Sequence, residues 1–172
     1  MNRVFIEKQG CVTSGTYNAV IEDILPTTNF TAFNNKIDDF SPAGYTSSAQ
    51  GLIRGAQLAN LGTNPRRLVV ILSDGNDLGS TNGVNNSTIS STLYGSSYNL
   101  CDKIRDDLDA QTAANGDPVT SKIAVIGFDY NVSGNTALQD CAGVDNVFEA
   151  QNKNEILNKI LELISEEIGH LK

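Results

Sequence analysis

Apolar positions fall into two periods along the chain. Leu68-Val69-Val70-Ile71-Leu72 is apolar at successive positions. That is the pattern of a strand covered on both faces, and it predicts a central strand of a parallel sheet. Ile123-Ala124-Val125-Ile126 repeats it as the adjacent strand, and Asn146-Val147-Phe148 is a shorter third. The helical period of 3.6 appears elsewhere. Phe33, Ile37 and Phe40 share one face, and Pro42-Ala43-Gly44 breaks that element. A second helix restarts near Ser47 or Ser48, whose hydroxyls can cap a first turn. Leu52, Gly55, Ala56 and Ala59 give it a small-residue stripe suited to close packing on a sheet, and Gly62 stops it. Leu100, Ile104 and Leu108 predict a crossover helix between the two long strands. Ile156, Leu157, Ile160, Leu161, Ile164 and Ile168 define an amphipathic final helix, with Asn152 and Glu155 spaced as a capping box.

Strand–helix alternation of this kind implies right-handed parallel crossovers. Nearer the start, Val4-Phe5-Ile6 and Tyr17-Asn18-Ala19-Val20-Ile21 are β-like runs flanking the turn chemistry of Thr13-Ser14-Gly15-Thr16. Residues 79–99 are rich in Ser, Thr, Asn and Gly. They read as a long loop, either functional or an untidy surface insertion. No repeat or interdomain linker interrupts the pattern, so residues 1–172 are read as one domain.

Composition narrows the chemistry. A hydrophobic fraction of 40% and a charged fraction of 19% are those of a globular chain. One His excludes any catalytic site built on two histidines within the chain. A formal net charge of −8 disfavours nucleic acid and anionic lipid as partners. No stretch reaches the roughly 20 apolar residues of a membrane span, and the first residues lack the apolar run of a signal peptide. The three cysteines, Cys11, Cys101 and Cys141, show no C-x-x-C spacing. A structural zinc site is therefore not expected, and the count allows one bridge and one thiol left over.

Ligands of open parallel sheets bind beyond the carboxyl ends of the strands. The strongest strand ends there in Ser73-Asp74-Gly75-Asn76-Asp77. Asp74 is pinned by the sheet while Gly75 lets the backbone turn away, a placement that suits a carboxylate meeting a cation directly or through water. Asp129, after the next strand, faces the same rim but reads as a turn or cap residue. Asp38-Asp39 and Glu166-Glu167 read as solvated helix faces, and His170 as a cation near a helix end.

The element order sharpens this reading. An amphipathic helix, Gly44-Tyr45-Thr46, a small-faced helix and then LVVILSDG resemble the second half of the von Willebrand factor A family. IAVIGFD resembles that family's next strand, and NVFEA its last, so the resemblance covers roughly residues 30 to 170. It implies a three-layer Rossmann-like α/β fold, a mostly parallel central sheet flanked by helices. It also implies a metal-ion-dependent adhesion site at which Thr46 and Asp74 are ligands; Ser73 or Asp77, beside Asp74 in sequence, is a speculative further oxygen donor. The family's Asp-x-Ser-x-Ser motif, which follows its first strand, is absent. The chain thus reads as a partial, N-terminally truncated domain whose Mg²⁺ or Mn²⁺ binding is weak or absent until upstream residues complete it.

LCDKI, ALQDCAG and YNAVIEDILPT further resemble Tad-type pilus assembly proteins of the TadG kind. That likeness implies a Cys101–Cys141 disulfide, with Cys11 left over or bonded outside the chain. It also implies an extracytoplasmic place in the bacterial envelope, a membrane anchor outside this chain, and protein partners among pilus or envelope components. The expected function is non-enzymatic binding; the alternative is a structural module that packs through residues 79–99 and keeps a vestigial metal site. Enzyme readings fare worse. A haloacid-dehalogenase-type phosphatase needs a D-x-D after an apolar strand, whereas Asp107-Leu108-Asp109 falls on a helix. There is no phosphate-binding Gly-rich loop, and a serine hydrolase would need His170 as its base from the chain terminus.

Overall fold

The computed structural model describes residues 24–25, 27–39, 46–81 and 83–169. The runs at 4–6 and 17–21, Cys11, Phe40, Tyr45 and His170 lie outside them. Helix α1 (Phe30–Asp38) is followed by α2 (Ser48–Asn60) and β1 (Arg66–Ser73). Next come a small hairpin, β2 (Ser80–Thr81) and β3 (Val84–Asn85), and helices α3 (Asn86–Tyr94) and α4 (Leu100–Asp109). The chain then forms β4 (Thr120–Phe128), α5 (Thr136–Ala142), β5 (Val147–Ala150) and α6 (Lys153–Gly169).

The three long strands form a parallel sheet in the order β1-β4-β5. Along it Val69 pairs with Ile123 and Ser73 with Gly127, and Val125 pairs with Val147. The middle strand among the described residues is therefore the Ile123 run, and the Leu68 run, expected to be central, has one strand neighbour among them. The physical reason is that an all-apolar strand reports two covered faces, not two strand neighbours. Val69 and Ile71 pack with Leu52 and Ala56 of α2 on one face, while Leu68 and Val70 pack with α6 on the other. Leu72, next along that second face, stays 55% exposed.

Two cores result. The larger joins α2, α4 and α5 to the sheet through Leu52, Ile104, Leu108, Ile123, Val125 and Leu138. The smaller seats α6 through Leu163 on Ala124 and Ile126. In α2 the small stripe works as expected, since a side chain begun at Gly55 would stand 3.6 Å from Val69. The final helix opens with Asn152 accepting from the Glu155 amide at 3.1 Å. Glu155 returns a bond to the Gln151 amide at 2.7 Å, one residue earlier than a strict capping box requires. Phe33 and Ile37 do share a face of α1, but that face is exposed.

The segment 79–99 also departs from expectation. It folds into the β2–β3 hairpin and α3, whose inward side chains are Asn86, Ser90 and Tyr94. Tyr94 joins the main core and Leu93 packs against it, while polar Asn86 and Ser90 take the other inward positions, so the apolar period is too short to show in the sequence. Cys101 and Cys141 are bonded, tying α4 to α5 across 40 residues.

Candidate functional site at the carboxyl rim of the sheet

Because the strands are parallel, the loops after Ser73, Phe128 and Ala150 converge at one end. Asp74 leaves β1 with its side chain exposed. Ser73 stays at the strand end, where its hydroxyl donates to the Gly75 carbonyl at 2.7 Å and shapes the turn. Asn76 reaches the next loop: its side-chain oxygen accepts from the Tyr130 hydroxyl at 2.6 Å and from Asn135 Nδ2 at 3.2 Å. Asn135 in turn caps α5 by accepting the Leu138 amide. Asp129 adopts a left-handed φ of 49° and donates its amide to Ala150, which makes it the turn residue anticipated for it.

Thr46 sits at the same end. Its carbonyl accepts the Leu78 amide at 3.2 Å and Asn86 Nδ2 at 3.1 Å, which fastens the entry of α2 to the stretch following Asp74. The Thr46 side chain is exposed. Neither its hydroxyl nor the Asp74 carboxylate has a hydrogen-bond partner among the described residues.

Asp77 does something else. It is 8% exposed, and its carboxylate accepts the Ser48 amide and the Ser48 hydroxyl, each at 2.7 Å, and the Ser90 hydroxyl. The cap of α2 is thus a carboxylate 29 residues away. The expected Ser47 or Ser48 hydroxyl cap is not formed; the Ser47 hydroxyl is buried without a partner among the described residues. Sequence reasoning singled out Asp77 as an oxygen donor but missed Ser48, Ser90 and Tyr94 as its surroundings. The available signal was the density of hydroxyl residues at 87–92, five of the six positions, which a search for apolar periods passes over.

The direction of these bonds is fixed by proton count. Ser48 spends its one proton on Asp77, so the Tyr94 hydroxyl, 2.9 Å from Ser48 Oγ, is the donor in that pair. Burial pushes the Tyr94 phenol well above its ordinary value of 10, and the Asp77 charge adds to the rise. A pKa raised on folding contributes stability that is present below the unfolded value and lost as pH climbs past about 10. Tyr94→Phe should therefore flatten the alkaline decline in stability. Following phenolate absorbance through alkaline unfolding checks this, and identical curves for variant and parent would refute it.

For Mg²⁺ or Mn²⁺ the fit is partial. Thr46 and Asp74 offer free oxygens at one rim, Ser73 is turned to Gly75, and Asp77 is committed to α2 and α3. The described residues hold no group of three or more His, Cys, Asp or Glu placed to bind a metal ion. No described helix is long and apolar enough to cross a membrane. Comparison with protein-family models, curated proteins and solved structures finds no match to this chain.

Proposed function

We propose that this chain is part of a von Willebrand factor A-like, non-enzymatic binding domain. Its place would be in an extracytoplasmic assembly of the bacterial envelope, of the Tad pilus type. The observation that carries the reading is the exposure of the Thr46 and Asp74 side chains, Asp74 directly after β1 and Thr46 tied through its carbonyl to Leu78 in the stretch that follows. The disulfide supports an oxidising compartment. In this reading Thr46 and Asp74 hold a divalent cation, and the remaining ligands come from a segment preceding this chain. The cation would supply a hard Lewis-acid position for an oxygen of a protein partner. This chain's own work is to hold the two ligands in place: the Thr46 carbonyl is fastened to Leu78 and Asn86, and Asp74 is fixed by β1.

Titration with Mg²⁺ and Mn²⁺ tests it. Alone, the chain should bind on the order of millimolar or weaker, because Mg²⁺ sheds its water reluctantly for so few ligands. Extending the chain upstream should tighten binding, and Asp74→Ala should then abolish it while the circular dichroism of the fold is unchanged. Tight binding by the short chain would show that the ligand set is wrong. A second reading, a structural module that contacts partners through the folded segment 79–99, is favoured by the commitment of Asp77 to packing. It would stand if the extended chain bound no metal.

A further inference from the structure

The chain carries four Asn-x-Ser/Thr triplets, beginning at Asn29, Asn85, Asn86 and Asn131. A triplet of this kind is the acceptor for N-linked sugar. The reacting atom is the side-chain amide nitrogen, and the four differ in what surrounds it. In Asn86 that nitrogen donates to the Thr46 and Leu78 carbonyls, and the residue is 2% exposed, so packing holds it. Asn29 and Asn85 cap α1 and α3 through their side-chain oxygens, and Thr27 and Gly83 stand two residues before them. Asn131 is exposed in the loop after β4. It alone has a carboxylate two residues before it, in Asp129-Tyr130-Asn131-Val132-Ser133. An acidic residue at that place is what bacterial oligosaccharyltransferases ask for beyond the triplet, because it offers a charged group to a cationic pocket.

The fold presents both recognition points. Asp129 is exposed as well, at a turn set by its left-handed φ of 49° and by its amide bond to Ala150. On either side of Asn131 the loop is tied down. The Tyr130 hydroxyl donates to Asn76, and Val132 is 1% exposed against Gly127, where an added Cβ would stand 2.8 Å from it. We propose that Asn131 is a site of N-glycosylation, with a lipid-pyrophosphate-linked oligosaccharide as donor. In the transfer a bond forms between Asn131 Nδ2 and the sugar C1, and the bond from C1 to the pyrophosphate oxygen breaks. The lipid pyrophosphate leaves with that electron pair, one amide proton passes to a base of the transferase, and nothing is oxidised. The inference rests on the extracytoplasmic part of the proposed function and owes nothing to the metal. A glycan at Asn131 stands one residue from the Tyr130–Asn76 bond, on the rim where a partner would arrive.

The test is transfer in vitro, with a bacterial single-subunit oligosaccharyltransferase, its lipid-linked donor and the intact chain, followed by whole-protein mass. The transferase must lift Val132 from its seat, so the reaction is run on the folded chain and on the chain refolding from urea. The expected result in at least one run is a single glycan that peptide mapping places on Asn131. Asn131→Gln and Ser133→Ala should abolish it. Asp129→Asn keeps the turn, since Asn tolerates a left-handed φ, and removes the charge; transfer should slow by about tenfold, the scale of one charge-assisted bond. No addition in either run, addition at Asn29 or Asn85 instead, or an undiminished rate for Asp129→Asn would overturn the proposal. Such a failure counts against the site and leaves the compartment standing. The compartment is read separately, by fractionating the cells that make the protein: a cytoplasmic chain with Cys101 and Cys141 reduced would overturn both, even with transfer observed in vitro.

Discussion

Reduction of the Cys101–Cys141 bond is expected to destabilise the domain by about 4 kcal/mol. The bond closes a loop spanning 40 residues, and the chain-entropy model assigns a loop of that length a cost in this range. Both sulfurs are buried among α4 and α5, with Cys101 at 1% and Cys141 at 0% exposure, so the two thiols must separate within the core when the bond opens. The loss should therefore combine freedom gained by the unfolded chain with a packing cost in the folded one. Urea denaturation of the oxidised protein and of a Cys101→Ala/Cys141→Ala variant measures it. Equal midpoints would mean that the loop is already restricted in the unfolded state.

The other large effect is expected at Asp77. Asp77→Ala leaves the Ser48 amide and two hydroxyls without their acceptor in a buried place. Loss of a helix cap together with unsatisfied buried donors costs roughly 2–4 kcal/mol. Hydrogen exchange should show the damage first in the opening turn of α2 and in α3, because both are tied to this one carboxylate. Asp77→Asn keeps the volume and one acceptor oxygen, so it should fall between Ala and the parent. An alanine variant as stable as the parent would remove Asp77 from its role as organiser of the rim.

How much of this was legible in the sequence depends on the force that holds each part. Elements held by apolar burial were readable: the strands at Leu68 and Ile123, the small stripe of α2, and the crossover helix through Ile104. Strand order was not, because Leu68–Leu72 has the same pattern whether it has one strand neighbour or two. The segment 79–99 was opaque for a different reason. Six of the nine residues of its helix are Asn, Ser or Thr, and Asn86 and Ser90 fasten it by directional bonds to Asp77, Thr46 and Leu78. Hydrogen-bonded partners so far apart in sequence leave no period to find. At the rim, the Thr46 carbonyl is tied to Leu78, four residues after Asp74. The division of labour between exposed Asp74 and buried Asp77 emerged only from their surroundings, since both follow the same strand as acidic residues.

The disulfide encloses more than a loop. Residues 101–141 contain the whole of β4, the strand that the other two flank. Under a load applied through the chain ends, tension passes from Cys101 to Cys141 through the sulfurs and bypasses everything between. Some 140 Å of potential extension is thereby withheld, at about 3.5 Å per residue. β1 and β5 can be peeled away while the middle strand and the helices on either side of it carry no force. A domain built this way can yield at its edges under pull and still keep the template on which they re-form.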